Sequence, residues 1–130
     1  MKTVTTRASL IIRCSRDDAA RIRAQAAADN RSVSGYLLHM MERSIWVEDR
    51  VARGLTKSFL AAQAHFMEGR RTGATRTAIH LRCSSAQADA IRGYAARRQL
   101  SISDFVMFSL WRDWDAVARL QQSPGFVQTP

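Results

Sequence analysis

Arginine is the side chain through which this protein has most scope for chemistry. Eighteen arginines and only two lysines, Lys2 and Lys57, face eleven Asp and Glu, leaving a formal net charge of +9 and a sequence pI near 11.2. A guanidinium is a planar fork of donors that matches two phosphate oxygens, or the O6 and N7 edge of guanine, as a point charge does not. Such a surplus points to a polyanionic partner, most often nucleic acid, the alternative being a basic protein with no such partner.

Other chemistries find little support. His39, His65 and His80 share no metal-ligand spacing, and Cys14 and Cys83 alone make neither a zinc site nor a disulfide framework. Both cysteines read as small buried residues. No Gly-rich phosphate loop follows a strand, and no serine or cysteine has a base beside it in sequence. The expectation is a protein without catalytic residues, metal or cofactor, and not an enzyme. No apolar run reaches about 18 residues, so no membrane span is expected. The start MKTVTTRASL lacks the apolar stretch of a secretory signal, which makes a cytoplasmic protein the default expectation. With 46% hydrophobic residues the chain has enough for a packed core.

The basic residues are placed by a repeat. TRASLIIRCS, residues 6–15, returns as TRTAIHLRCS, residues 75–84, and residues 6–45 align with 75–114 without a gap. Thr6, Arg7, Arg13, Cys14, Ser15, Ala19, Ile22, Arg23, Ala26, Ala27, Ser32 and Ser34 each meet the same residue sixty-nine positions on. This is an internal duplication. Each copy opens with a strand pattern. Leu10 and Ile12 alternate with Ser9, Ile11 and Arg13, and Ile79 and Leu81 with Ala78, His80 and Arg82. Ser15 in SRDD and Ser84 in SSAQ then read as capping boxes that start a helix, with Ala19, Ile22 and Ala26 or Ala88, Ile91 and Ala95 on its inner face. After a break, Ser32 and Ser101 cap a second helix. Val33, Tyr36, Leu37, Met40 and Met41 line one copy at helical spacing, and Ile102, Phe105, Val106, Ser109 and Leu110 the other. A strand-helix-helix unit of about forty residues cannot stand alone, because its strand would lack a partner and its helix pair would bury too little. Two copies remove both problems if their strands pair antiparallel.

The stretches LIIRCSRDDAARIRAQAAADNRSVSGYL and IHLRCSSAQADAIRGYAARRQLSISDFV resemble the ribbon-helix-helix family of Arc/MetJ-like DNA-binding proteins, and together the matches cover about eighty of 130 residues. The resemblance implies a mainly α fold with one two-stranded antiparallel β-ribbon. It would be an intramolecular pseudo-dimer of order β-α-α, connecting helix, β-α-α. The first unit spans 6–46, the connecting helix and basic loop 47–74, the second unit 75–115 and the C-terminal tail 116–130.

It also implies a function. The ribbon of such proteins enters the major groove, so base contacts are expected from Ser9, Ile11 and Arg13 with Ala78, His80 and Arg82. A strand pair centred on Ile11 and His80 places Arg13 opposite Ala78 and Arg82 opposite Ser9. The arginines suit guanine, Ile11 a thymine methyl, and His80 either a base or an ordinary exposed position. In that register the cysteines lie about 20 Å apart, too far to bridge. The family anchors phosphate at the second helix N-terminus, here Arg31, Ser32, Val33 and Ser34, and Ser101, Ile102 and Ser103. Lys2 and Arg7, and Arg70, Arg71 and Arg76, form basic arms suited to clamping phosphates or to lying in solvent.

Between the units, Val51, Leu55, Phe59, Ala62 and Phe66 form one helical stripe, either packed on the core or open to a partner. The tail reads as helical to about Gln122. The expected function is sequence-specific binding of double-stranded DNA, as a transcriptional repressor. The alternatives are a relaxosome accessory protein that binds a plasmid transfer origin beside a relaxase during conjugation, or an antitoxin-type protein-interaction module. A second copy on adjacent sites is a further expected partner, and a membrane is not.

Overall fold

The computed structural model describes the backbone of residues 7–51, 57–70 and 76–122, and the side chains of 7–45, 61–69, 76–118 and 120. Its element order is β1 (Arg7–Ser15), α1 (Arg16–Ala28), α2 (Val33–Val51), α3 (Lys57–Arg70), β2 (Arg76–Ser84), α4 (Ser85–Arg97) and α5 (Ile102–Gln122). The chain is mainly helical, with one two-stranded antiparallel sheet. The register pairs Ile11 with His80, Arg13 with Ala78 and Ser9 with Arg82, the pairing centred on Ile11 and His80 expected under the resemblance.

Period-two alternation decides which face is buried. Leu10, Ile12 and Cys14 of β1, and Ile79, Leu81 and Cys83 of β2, point into the core. Helices cover that face with the small and branched residues the repeat supplies: Ala19, Ile22 and Ala26 from α1, and Ala88, Ile91 and Ala95 from α4. Tyr36, Leu37, Met40 and Met41 of α2 meet Phe105, Val106, Leu110 and Trp114 of α5 in the same cluster. The two cysteines are free and buried; Cys14 pairs with Thr77 and Cys83 with Ala8 in the ladder, which keeps them apart.

The second helices cross over. α2 packs on β2 and α5 on β1, so each strand is braced by a helix from the other copy of the repeat. Ser44 Oγ donates to Ser109 Oγ at 3.0 Å, and Trp114 Nε1 donates to the Tyr36 hydroxyl at 3.0 Å, joining α2 to α5. Arg21 of α1 lies over the Trp114 ring, 4.2 Å from its centre. Burial pushes the Tyr36 phenol above its ordinary pKa, keeping it protonated inside this contact.

Local chemistry sets the element ends. Ser15 Oγ accepts from Asp18 N and Ser84 Oγ from Gln87 N, both at 3.1 Å. Only the second cap closes as a full box, with Ser84 N donating to Gln87 Oε1 at 2.8 Å. The Asp18 carboxylate, one methylene shorter, does not return that bond. At the far ends, Asn30 and Gln99 both take φ 57°. There Arg31 N donates to Ala26 O, and Leu100 N to Ala95 O, the bond that closes a Schellman turn.

The connecting helix breaks the repeat. The Phe66 ring of α3 lies tilted against Phe108 and Trp111, with centroids 5.5 Å and 5.6 Å away, and Gln63 Nε2 donates to Arg98 O at 3.3 Å. The aligned positions in α2 are His39 and Glu42, which offer no such aromatic seat. Phe66 is partly buried against the core and Ala62 is half-buried, whereas the side chains of Val51, Leu55 and Phe59 lie outside the described residues. Among the described residues no helix is long and apolar enough to cross a membrane.

The inside-outside division of the strands predicts a sharp contrast. Leu81, with no exposed surface, leaves a cavity when cut to Ala and should lose about 2–5 kcal/mol. His80→Ala on the opposite face should change stability by no more than about 0.5 kcal/mol. Urea titrations of both variants check this; equal losses would contradict the assignment of faces.

Candidate nucleic-acid interface

The sheet's outer face is built from alternate residues of both strands. Arg7, Ser9, Ile11 and Arg13 are exposed on β1, and Arg76, Ala78, His80 and Arg82 on β2. Ile11 keeps 49% of its surface, which a half-buried sheet does not ask of an isoleucine. Four arginines share this face, and neither strand contains an acid. Arg82 stands opposite Ser9, and Arg13 stands opposite Ala78. The two arginines are therefore four ladder positions apart, about 13 Å along the sheet.

A two-stranded sheet has two edges whose backbone groups need partners. Here the helix N-termini supply them. Ser103 Oγ accepts from Arg13 N at 2.8 Å and donates to Ile11 O at 3.4 Å. On the opposite edge Ser34 Oγ accepts from Arg82 N at 2.9 Å and donates to His80 O at 3.5 Å. These four backbone groups belong to the outward-facing residues, so the edge bonds hold the backbone of the exposed set.

For the same serines the family resemblance implies phosphate contacts. A hydroxyl has one proton, and that of Ser34 or Ser103 is directed at a strand carbonyl. An anion at either helix end would meet backbone N–H groups instead. Ser32 Oγ accepts from Gly35 N at 3.0 Å, and Ser101 Oγ from Asp104 N at 3.1 Å. Tyr36 N and Phe105 N bond the carbonyls of Ser32 and Ser101. The N–H groups of Val33 and Ser34, and of Ile102 and Ser103, are the first-turn donors that a helix cannot satisfy from within.

The two ends differ in charge. Arg31, exposed, precedes α2, whose first turn holds no acid. Leu100, half-buried, precedes α5, whose first turn holds Asp104. The first end is thus the better anion seat. Arg7 and Arg76 extend the basic face outward, opposite Ser84 and Ser15. Lys2 and Arg71 lie outside the described residues, as does the side chain of Arg70. Among the described residues no cluster of three His, Cys, Asp or Glu could hold a metal ion.

Sequence reasoning missed the edge role of Ser34 and Ser103. The repeated Ser-Val/Ile-Ser was visible, but its second serine acts on the strand of the other copy, which only the crossover of α2 and α5 decides.

If those serines seal the edges, removing one should loosen a single amide. Ser103→Ala should speed hydrogen exchange at Arg13 N by about tenfold, the equivalent of about 1.4 kcal/mol, and leave Arg82 N unchanged. Ser34→Ala should do the reverse. Residue-resolved exchange checks both; equal protection in variant and parent would contradict the edge role.

No protein-family model, curated protein or solved structure matches the chain.

Proposed function

We propose that this chain is a tandem ribbon-helix-helix protein, two units fused into one pseudo-dimer, that binds double-stranded DNA sequence-specifically and acts as a transcriptional repressor. The observation that carries the reading is the outer sheet face: four arginines, no acid, and backbone edges fixed by serine hydroxyls. The major groove, about 12 Å wide, admits a two-stranded ribbon whose strands lie about 4.8 Å apart. With the ribbon laid in the groove, Arg13 and Arg82 each present a fork to a guanine edge. Their spacing of about 13 Å corresponds to roughly four base steps of 3.4 Å.

The division of labour follows from chemistry. Base edges are read by Arg13, Arg82, His80 and Ser9 through hydrogen bonds, and by Ile11 and Ala78 through contact with thymine methyl groups. Backbone N–H groups at Val33 and Ser34, and at Ile102 and Ser103, serve phosphates flanking the groove, supported by Arg31, Arg7 and Arg76. The net charge of +9 draws the protein to DNA at any sequence, and the ribbon then discriminates. Occupancy of a promoter by such a ribbon excludes polymerase, which is the basis for reading it as a repressor. The same surface at a plasmid transfer origin would instead serve conjugative DNA processing, and the location of the preferred site separates the two.

Arg13→Ala and Arg82→Ala should each weaken binding to a selected duplex by about 1–3 kcal/mol, roughly 5- to 150-fold. Both should leave binding to random competitor DNA within a few-fold of the parent. Gel-shift titrations at about 0.05 and 0.2 M salt check this, because phosphate attraction falls steeply over that range and base reading does not. Unchanged affinity for the selected duplex in both variants would remove the ribbon from the reading surface.

A further inference from the structure

The two halves of the outer face are unequal, and the inequalities fall together. At the centre, Ile11 stands opposite His80. Ile11 O is turned outward to Ser103 and His80 O to Ser34, so this is a non-hydrogen-bonded pair of the ladder. Such pairs bring their Cα atoms to about 4.5 Å, the closest approach in an antiparallel sheet. An apolar branched side chain and an imidazole therefore address the same central base steps. On one side of this centre the Ser9 hydroxyl stands opposite Arg82; on the other the Ala78 methyl stands opposite Arg13.

The flanks repeat the bias. The α2 N-terminus, hydrogen-bonded beside Arg82, brings Arg31 and no first-turn acid. The α5 N-terminus, hydrogen-bonded beside Arg13, brings Leu100 and Asp104. Polar, hydrogen-bonding and cationic groups thus gather at the Arg82 end, while apolar groups and an acid gather at the Arg13 end.

Resting on the DNA-reading proposal above, we infer that one chain recognises a non-palindromic duplex in a fixed orientation. The half under Arg82 and Ser9 is strictly specified, the half under Arg13 and Ala78 is loosely specified, and Ile11 and His80 share the centre between them. Four arginines in matched positions keep the outer frame two-fold; Ile11 and Ala78, against His80 and Ser9, break it. Hydrogen bonds to base edges discriminate more strongly than methyl contacts, so the strict half carries most of the specificity. Arg82→Ala should accordingly lose at least fivefold more affinity for the selected site than Arg13→Ala.

The test is selection from a random duplex pool, taking the complex of one chain per duplex, with the full chain and with the double variant Ile11→His/Ala78→Ser. Both substituted positions are exposed, so the fold is expected to tolerate the change; circular dichroism and a urea midpoint matching the parent confirm that. The parent should enrich duplexes with one sharply defined half and one degenerate half. The double variant, whose outer face repeats the same residue types on both strands, should enrich a palindrome built from two copies of the sharp half. A palindrome enriched by the parent, or an unchanged asymmetric preference in the variant, would overturn the inference while leaving the DNA-reading proposal in place. No enrichment over competitor by the parent would overturn both.

Discussion

The antiparallel pairing of β1 with β2 is the interaction on which the rest of this structure depends. Neither strand has another partner among the described elements, and sixty-nine residues separate equivalent points of the two. A lone strand would leave a full ladder of backbone groups to water and its apolar row, Leu10, Ile12 and Cys14, without a lid. Pairing meets the inner ladder, and the serines at the starts of α2 and α5 meet part of the outer one. Because α2 braces β2 and α5 braces β1, neither copy of the repeat completes its own packing. Sheet formation and helix docking are therefore one event, in which long-range contacts must form before the chain entropy of closing the intervening loop is offset.

The same pairing determines what is available for function. Once alternate residues are committed to the core, Ser9, Ile11, Arg13, Ala78, His80 and Arg82 have no other place than the outer face. Their backbone is held by hydrogen bonds to the ladder, to Ser34 and to Ser103, which limits the motion of this outward-facing set before any ligand arrives. Preorganisation of this kind reduces the ordering entropy lost on binding, and it suits an arginine fork, whose two donors need a defined approach to guanine. In the proposed function, fold stability and specificity draw on one set of bonds.

Much of this was legible in the residues. Imperfect alternation in SLIIRCS and AIHLRCS indicated the faces, and the repeat of Ala19, Ile22 and Ala26 as Ala88, Ile91 and Ala95 indicated the helix faces that close the core. The caps at Ser15, Ser32, Ser84 and Ser101 were visible as Ser followed at three residues by a suitable partner or first-turn N–H. What local pattern could not reveal is which strand each second helix would brace, so the edge bonds of Ser34 and Ser103 stayed hidden behind a phosphate assignment. The seat of α3 was half visible: Phe66 lay on an apolar stripe, but its partners Phe108 and Trp111 were legible only as a break in the repeat, where the first copy has His39 and Glu42. The reciprocal half of the cap at Ser15 was expected and does not form, because an aspartate is too short to make the return bond that Gln87 makes. The base-contact roles rest on the family resemblance together with the outer face, and binding experiments are what test them.

The most direct test of the central claim is methylation interference on the complex with a selected duplex. Methylation at guanine N7 blocks the major-groove edge that an arginine fork needs, whereas methylation at adenine N3 alters only the minor groove. A ribbon seated in the major groove predicts that methylation at guanine N7 within the site weakens binding, most of all at the guanine under Arg82, and that N3 methylation in the site is tolerated. Interference confined to the minor groove, or none at guanine N7, would contradict the account.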